Sequence, residues 1–447
     1  MAFLPFLIAI LLFWAARPQP AEDHIQAMLR SAHGSFHLPT GTLELTRGLV
    51  LPDGTHDLDI SGNGTTLRAS PHFHGHALLA CRACRDVTIH NLSIDGNRPA
   101  IHRPLSLPSS NQTFASSFDN NGLLFVGGDT LTVSSVHFTN IPAFALLANA
   151  STNVLLRDLT VDSSGGLNSL GRNNSTGGVL LEEGVTHWQI VDSLFRDISG
   201  NAVWTHSRSN SPRAAHGLIA RNRFDNIGRD AIQIGHATDV QVIANTGSRI
   251  GWPISEIDVE SRAVPVAIDT SGNVDRTTYR DNRFEEVDGK CIDLDGFHDG
   301  SVLHNSCLNR GSAADYPWGQ FGIVMNNSAP EMQSRNIAII GNTIDGANYG
   351  GIFIIGSGHR IAANELRRLN LAHCDDSKPA CQIPGQPHLL DSGIYLAAGA
   401  ARPAPAVENQ IERNSISGFR MRAHCFGYAP GISAAKNSIE GNRCADE

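Results

Sequence analysis

The sequence predicts an all-β solenoid, a fold in which short strands and turns repeat along one axis. Asparagines recur behind short β-rich runs, at successive gaps of 23, 37, 23, 37, 22, 50 and 28 residues. They are Asn222, Asn245, Asn282, Asn305, Asn342, Asn364, Asn414 and Asn442. A period near 23 residues, lengthened in places by insertions, is typical of repeats that pack only on their neighbours. We therefore expect one elongated domain over residues 35–447.

The composition agrees with a turn-rich solenoid and excludes one class of partner. The 447 residues include 43 glycines, and only 17% of residues are charged. The 34 Lys and Arg residues against 43 Asp and Glu residues give a net charge of −9, with no basic run. Because phosphate contacts need a clustered basic face, we expect no nucleic-acid partner. We expect the chain to be a monomer.

The N-terminus is expected to carry a targeting signal. The apolar run FLPFLIAILLFWAA is followed by the polar segment RPQPAED. The run is shorter than the roughly 20 residues of a bilayer span and suits a signal-peptide core. We expect residues 1–16 to be a signal peptide, with an uncleaved anchor as the alternative. No later segment is expected to cross a membrane, so the protein is expected to be secreted, periplasmic or otherwise extracytoplasmic.

A short helix is expected to cap the solenoid at residues 21–34. Ile25, Met28 and Leu29 recur there at helical spacing, and Gly34 ends the pattern. An uncapped solenoid exposes the unpaired edge strands of its first coil. The helix is therefore expected to cover that coil.

The cysteines predict disulfides because the chain is expected to be extracytoplasmic. Close spacing suggests Cys81–Cys84, Cys291–Cys307, Cys374–Cys381 and Cys425–Cys444. The first pair also has the CxxC spacing of a redox motif or of half a zinc site. Neither a βαβ pattern nor a second pair at zinc spacing accompanies it.

The individual coils identify which solenoid to expect. Each has an apolar segment, a turn and an apolar-x-apolar segment, as in FRDISGNAVWTH (195–206), FDNIGRDAIQIGH (224–236), FEEVDGKCIDLDGFH (284–298) and IDGANYGGIFIIG (344–356). A leucine-rich repeat would need a helical or Leu-rich return segment. A left-handed hexapeptide helix would use about 18 residues a coil, and calcium-binding GGxGxD repeats are absent.

These coils, with the stretch 35–70 and VTIHNLSIDGNR (87–98), resemble the right-handed parallel β-helix of the pectin-lyase-like superfamily. The resemblance implies a single-stranded right-handed parallel β-helix solenoid, and polysaccharides as substrates. Inward residues would form the core, and the recurrent Asn would hydrogen-bond backbone groups inside each turn. The polygalacturonase motif set and the pectate-lyase Arg-x-Pro-x-x-Arg element are absent, so no specific lyase or hydrolase family is matched.

Aligning one strand from each coil predicts two outward columns of side chains. The first column contains Leu180, Trp204, Gln233, Ala267, Asp293, Val324, Phe353 and Tyr395. The second contains Glu182, His206, Gly235, Asp269, Asp295, Asn326, Ile355 and Ala397. This register takes Val266 and Ile268 as the inward pair of their coil. It places His206, Asp269, Asp293 and Asp295 within roughly 15 Å of one another.

The segment GKCIDLDGFHDG (289–300) carries the richest chemistry. Asp293 and Asp295 face the same way, and two carboxylates are the usual equipment of glycoside hydrolysis. Lys290 and His298 are candidate bases, so abstraction of a proton α to a uronate carboxyl is the alternative reaction. The catalytic candidates are Asp293, Asp295, Asp269, His206, Lys290 and His298.

A calcium site is the further possibility for this segment, with Asp293, Asp295 and Asp299 as oxygen ligands. His298 and Asp299 also resemble the Asp-x-His-Asp element of β-helical alginate C5-epimerases, although this chain has one residue more between Asp295 and His298.

Residues around the carboxylates are candidates for binding sugars. Trp204, Phe353 and Tyr395 would stack on sugar rings, and Gln233 and Asn326 would hydrogen-bond them. The substrate-binding candidates along the border are Arg208, Arg229 and His236, which would pair with uronate carboxylates.

Together these patterns favour a secreted protein acting on an extracellular, uronate-containing polysaccharide by β-elimination or glycoside hydrolysis. An enzyme is the favoured class. The opposing class is a non-catalytic surface or glycan-binding β-helix whose outward residues only bind. A uronate C5-epimerase and a metal-handling β-helix are further alternatives.

Overall fold

The computed structural model describes residues 21–101, 108–109, 112–258, 264–329 and 332–447. The predicted signal peptide lies outside these residues. Parallel strands stack coil on coil along almost all of the described chain, as the repeat predicted. The smaller of two sheets contains Leu49–Val50, Ala77–Arg82, Asn121–Val126, Phe144–Asn149, Gly177–Glu182, Val203–His206, Asp230–Gly235, Val266–Ser271, Lys290–Asp295, Ile323–Asn326, Ile352–Ile354, Ile394–Leu396 and Phe426–Tyr428.

The larger sheet forms the rest of the coil wall and usually takes two strands from each coil. Its strands are Gly34–His37, Gly41–Leu45, His56–Ser61, Thr65–Ala69, Arg85–Asp95, Asp129–Thr139, Thr152–Arg157, Thr160–Asp162, Thr186–Val191, Leu194–Ile198, Ala214–Ala220, Arg223–Ile227, Ala237–Ile243, Thr246–Ile250, Val274–Asp275, Thr278–Arg280, Arg283–Val287, Phe297–His298, Ser301–Leu303, Ser306–Leu308, Ala338–Ile340, Thr343–Asp345, Arg360–Ala362, Glu365–Leu369, Gln410–Glu412, Ser415–Gly418, Ser438–Glu440 and Arg443–Asp446.

Short helices lie between or before these strands. The α-helices are Ala21–Leu29, Arg98–Ile101 and Phe114–Ser117, and the 3₁₀ turns are Ile254–Glu256, Ala313–Asp315, Pro379–Cys381 and Ala434–Lys436. Within the described ranges, no helix is long and apolar enough to span a membrane.

The first helix lies against the edge of the first coil. Glu22 accepts hydrogen bonds from the backbone N–H groups of Arg47 and Gly48 at 2.9 and 3.0 Å. The side chain of Gln26 donates to the carbonyl of Val50 and accepts from its N–H, both at 2.8 Å. These contacts pair backbone groups of the strand Leu49–Val50 and the turn before it, which have no preceding coil to bind.

Inward side chains fill the core and stack from coil to coil. Phe195 and Phe224 stack with ring centroids 5.2 Å apart, and Phe284 continues the stack at 6.3 Å from Phe224. All three rings are buried. Parallel strands in register place the same inward position of each coil one above the next, so identical residue types form columns.

The recurrent asparagines form a continuous hydrogen-bonded ladder inside the wall. The side-chain oxygen of Asn245 accepts from the backbone N–H and the side-chain amide of Asn222, at 3.0 and 3.1 Å. The amide of Asn245 donates to the carbonyl of Ile219 at 3.0 Å and to Asn282 at 2.9 Å. The pattern repeats along the column to Asn442. The predicted role of these residues in the turns is confirmed.

The ladder begins one coil earlier than the asparagines do. The backbone N–H of Ser193 donates to Asn222 at 3.0 Å, and the Ser193 hydroxyl accepts from the N–H of Leu159 at 3.0 Å. Serine therefore occupies the same position, with a shorter side chain. A repeat that is defined by its asparagines alone therefore leaves out the coil that contains Ser193.

The four predicted disulfides are confirmed as Cys81–Cys84, Cys291–Cys307, Cys374–Cys381 and Cys425–Cys444. Cys291 lies in the smaller sheet and Cys307 in the larger one, so that bond closes a coil between its two walls. No free cysteine occurs among the described residues.

Candidate functional site

One outward column of the smaller sheet brings six of the predicted site residues into register, namely Trp204, Gln233, Asp269, Asp293, Phe353 and Tyr395. Its in-register positions are Leu180, Trp204, Gln233, Asp269, Asp293, Val324, Phe353 and Tyr395. Apolar and aromatic residues occupy both ends of the column, and amide and carboxyl groups occupy its centre. Adjacent members lie on neighbouring strands, about 4.8 Å apart.

The predicted register was wrong by two residues in the strand Val266–Ser271. Ile268 and Thr270 are the inward pair, in register with Ile292 and Leu294 of the next coil. The sequence pattern favoured Val266 over Thr270 because a hydroxyl is unfavourable in an apolar core. The Thr270 hydroxyl is satisfied there by the hydroxyl of Tyr279 at 2.7 Å. Asp269 consequently lies directly beside Asp293, and not beside Asp295.

Asp269 is held as a buried acid. Gln233 donates to its Oδ2 at 2.6 Å, and Asn201 in turn donates to the Gln233 oxygen at 2.6 Å. Burial raises the pKa of Asp269 well above its usual range, and the charges of Asp230 and Asp293 raise it further. With 8% of its surface exposed, Asp269 is expected to retain its proton to a higher pH than a solvated carboxyl group.

Asp293 is an ion-paired carboxylate. Its Oδ2 contacts the ammonium of Lys290, and its Oδ1 accepts from the amide of Asn326 at 3.0 Å. Burial lowers the pKa of Lys290, but the charges of Asp293, Asp269 and Asp295 outweigh burial and raise it overall. Lys290 therefore remains protonated, which suits an electrostatic role and not that of a base.

Two further carboxyl groups border this pair. Asp230 is buried, accepts from the N–H of Val266 at 3.0 Å, and has its pKa raised to about 6 by burial. Asp295 accepts from the backbone and hydroxyl of Ser328 at 3.1 and 2.9 Å. Burial also raises the pKa of Asp295.

Asp230 was missed as a candidate. Aligning GRDAIQIG with GKCIDLDG by the register of the sheet places Asp230 and Lys290 at the same position, on either side of Val266. A pairwise comparison of these two coils is the signal that would have identified it.

His206 lies at the other end of the polar region. It is in register with Glu182, and its Nδ1 lies 4.0 Å from a Glu182 oxygen. Its ring packs against Phe114 and Trp204, with centroids 5.3 and 5.0 Å apart, and burial lowers its pKa. Three strand spacings, roughly 14 Å, separate its strand from that of Asp293.

His298 and Asp299 are not brought to this face. The strand Phe297–His298 belongs to the larger sheet, where His298 Nδ1 lies 3.0 Å from the carbonyl of Gly296. Asp299 is held by Arg335 and Asn336, both at 2.8 Å. The predicted calcium ligands Asp293, Asp295 and Asp299 are thus separated, because the chain turns at Gly296 and Asp299 follows a strand of the larger sheet.

The two ends of the column are covered. At one end, the helix Phe114–Ser117 packs on Trp204, which is 8% exposed. At the other, Phe353 and Tyr395 stack at 5.9 Å, and the Tyr395 hydroxyl donates at 2.9 Å to Gln386, which lies in the long segment between the strands Glu365–Leu369 and Ile394–Leu396. Tyr395 is fully buried. Of the three aromatic candidates for sugar stacking, Phe353 is the most exposed.

The two arginine candidates for substrate binding lie beside acidic partners. Arg208 bonds Glu183 at 3.2 Å, and Arg229 lies 3.8 Å from Asp230. His236 follows the strand Asp230–Gly235 and is partly buried.

We expect the Lys290–Asp293 pair to control stability at this site. Lys290→Met should lower the free energy of unfolding by about 3 kcal/mol, because it leaves a buried carboxylate without its counter-ion. The double variant Lys290→Met/Asp293→Asn should recover most of that loss. Urea denaturation at neutral pH measures both. Lys436→Met, at an exposed lysine, is the control, and equal losses in the single and double variants would contradict the pairing.

Comparisons with known proteins identify the fold. Residues 176–366 match the family described as right handed beta helix region. No curated protein matches the chain in sequence.

Similar solved structures extend the likeness along the chain. The surface adhesin PfbA of Streptococcus pneumoniae is 15% identical, with a TM-score of 0.53, over 77% of this chain and 85% of that one. DFA-IIIase from Arthrobacter chlorophenolicus A6, in complex with GF2, is 12% identical with a TM-score of 0.53, over 96% and 97%. The A-module of the Azotobacter vinelandii mannuronan C-5 epimerase AlgE6 is 12% identical with a TM-score of 0.52, over 96% and 93%. The chain is a right-handed parallel β-helix.

Proposed function

We propose that this protein is a carbohydrate-active enzyme that hydrolyses a glycosidic bond of an extracellular polysaccharide. The observation that carries the proposal is the in-register pair Asp269 and Asp293 at the centre of the outward column. Asp269 is protonated and donates a proton to the leaving oxygen. Asp293 supplies the anionic carboxylate that attacks the anomeric carbon or activates water.

Different environments separate the roles of the two carboxyl groups. Asp269 has only neutral hydrogen-bond donation from Gln233, whereas Asp293 has the ammonium of Lys290. Two titratable groups whose surroundings favour opposite charge states are the usual arrangement for an acid and its partner. The buried setting strengthens both effects because water screens them little.

Hydrolysis is favoured over elimination and epimerisation by the charge and the placement of the candidate bases. Lys290 is protonated, and His298 lies on the other sheet. His206 is separated from Asp293 by roughly 14 Å of strand spacing. No candidate base from the sequence therefore combines a neutral side chain with a position next to the pair.

The setting supports an external glycan as substrate. Four disulfides favour an oxidising compartment. As a separate part of the proposal, the short helix Ala21–Leu29 serves as the cap of the first coil. An adhesin and a mannuronan epimerase are among the similar folds, which supports a carbohydrate role by analogy only. The carboxyl groups of the site that are ionised would repel a substrate carboxylate, so neutral glycans are included beside the uronates that the sequence predicts.

The test is a panel of neutral and uronate polysaccharides, incubated with the protein with and without Ca²⁺. New reducing ends without absorbance from unsaturated uronates are expected, and they should not depend on calcium. Unsaturated products would overturn hydrolysis in favour of elimination. Retarded migration in glycan-loaded gels with neither product would identify the non-catalytic glycan-binding alternative.

A further inference from the structure

A second cluster of chemistry lies outside the outward column, at the base of the insertion between residues 370 and 390. His388 belongs to the insertion itself. Asp391 precedes the strand Ile394–Leu396, and His424 precedes the strand Phe426–Tyr428 of the next coil. Two separate stretches of chain, 388–391 and the residues before Phe426–Tyr428, thus converge on one point.

The nitrogen and oxygen atoms of this cluster lie at the distances of atoms that bind one metal ion, and not at those of hydrogen-bonded atoms. His388 Nδ1 lies 3.4 Å from Asp391 Oδ1, and His424 Nδ1 lies 3.8 Å from Asp391 Oδ2. One ligand atom from each residue can be chosen so that all three lie within 4.8 Å of one another. Tetrahedral ligands with bonds near 2.0–2.1 Å are about 3.4 Å apart. The spacing therefore leaves room for an ion between the groups.

The burial of Asp391 gives a second, independent indication of a bound ion. Its side chain is only 6% exposed, and its Oδ1 has no hydrogen-bond partner among the described residues. A buried carboxylate oxygen without a partner is costly, and a missing ion is one of the usual reasons. The orphaned atom is the one that lies nearest to His388.

Charged neighbours complete the surroundings. Asp376 Oδ1 lies 3.9 Å from His388 Nδ1, so it can supply a fourth ligand. Arg420 lies 3.9 Å from Asp391 and 3.4 Å from Asp376. Two carboxylates against one guanidinium leave net negative charge for a cation.

We propose that His388, Asp391 and His424 bind a divalent transition metal ion, with Zn²⁺ as the best match. Two imidazoles and a carboxylate suit Zn²⁺ better than Ca²⁺ or Mg²⁺, which prefer all-oxygen sites. The ion joins the insertion to two successive coils. Since Gln386 of the same insertion bonds Tyr395, the ion also fixes the wall at one end of the outward column. This site does not depend on the proposed hydrolysis.

The experiment is calorimetric titration of the chelator-treated chain with zinc chloride. Binding is expected with an affinity that falls at least 10-fold in His388→Gln and in Asp391→Asn, because each variant removes one ligand. His388 is 42% exposed, so its variant should fold even if the buried Asp391 variant does not. His56→Gln is the matched control, since His56 contacts one aspartate, Asp57, but no second histidine.

Two further readouts identify the geometry and the role. Cobalt chloride should give the visible absorption of a tetrahedral site, and His388→Gln should remove it. Zinc should also slow proteolytic cleavage within the insertion in the unsubstituted chain only. Absence of zinc binding, or an affinity in both ligand variants equal to that of the unsubstituted chain, would overturn the proposal.

Discussion

Asp269→Asn is expected to lower the rate of glycan cleavage by about 10²–10⁴-fold, because an amide cannot donate the proton that a general acid supplies. The Asn oxygen can still accept the hydrogen bond from Gln233, so the surroundings should be preserved. The measurement is the initial rate of reducing-end release on whichever glycan of the panel is cleaved. Asp281→Asn, at an exposed carboxylate in the turn between the strands Thr278–Arg280 and Arg283–Val287, should leave the rate unchanged.

The pH dependence gives this prediction a specific sign. Because burial raises the pKa of Asp269, the acid remains protonated above the ordinary carboxyl range, and activity should fall as pH rises through that raised value. Asp269→Asn should remove this alkaline limb from the residual activity. A variant that kept the limb would show that another group titrates.

Stability distinguishes a catalytic role for Asp269 from a structural one. A carboxyl group whose pKa is raised by folding favours the folded state at low pH and loses that contribution as pH rises through the raised value. Asp269→Asn should therefore be at least as stable as the unsubstituted chain above neutral pH, while being inactive. A destabilised variant with proportionally reduced activity would indicate a structural role.

Asn282→Ala is expected to lower the free energy of unfolding by about 3 kcal/mol or more, because it leaves several buried polar groups unpaired. Asn282 accepts from the N–H and side-chain amide of Asn245, and donates to the carbonyl of Val242 and to Asn305. Chemical denaturation measures the loss. Gln241→Ala, at an exposed position of the neighbouring strand Ala237–Ile243, controls for truncation of an amide side chain.

The position of an asparagine in the ladder should determine the size of the effect. Asn442 ends the ladder and is partly exposed, so water can replace its hydrogen bonds. Asn442→Ala is expected to cost about 1 kcal/mol or less. Equal losses at Asn282 and Asn442 would contradict a mechanism based on burial.

Much of the fold could be predicted because solenoid order is local in sequence. The Asn step and the strand pattern repeat within each coil, and the predicted disulfide partners are at most 19 residues apart. Short sequence separations leave few alternative pairings. Asp293 and Lys290 belong to one strand, so the strand that carries both could be predicted without knowledge of any other coil.

The remainder of the site depended on contacts between coils. Asp269 lies beside Asp293 only because Thr270 points inward, and the partner that permits this is Tyr279, on the opposite wall of the coil. A pattern that treats apolar residues as inward cannot anticipate a buried hydroxyl pair. Likewise, Asp269 and Asp293 are both buried, and the ammonium of Lys290 beside Asp293 is what distinguishes the ion-paired carboxylate from its neighbour.

By itself, the sequence determined the repeat, the turn asparagines, the disulfides and the strand that carries Asp293, because each follows from spacing along the chain. Tertiary structure decided which carboxyl groups are neighbours, which aromatics are covered, and where His298 lies. It also brought His388 and His424 together from different coils. The physical reason is that contacts between coils set the register of the strands, the desolvation of side chains and the packing of the insertions. Between coils, insertions of variable length interrupt the spacing along the sequence.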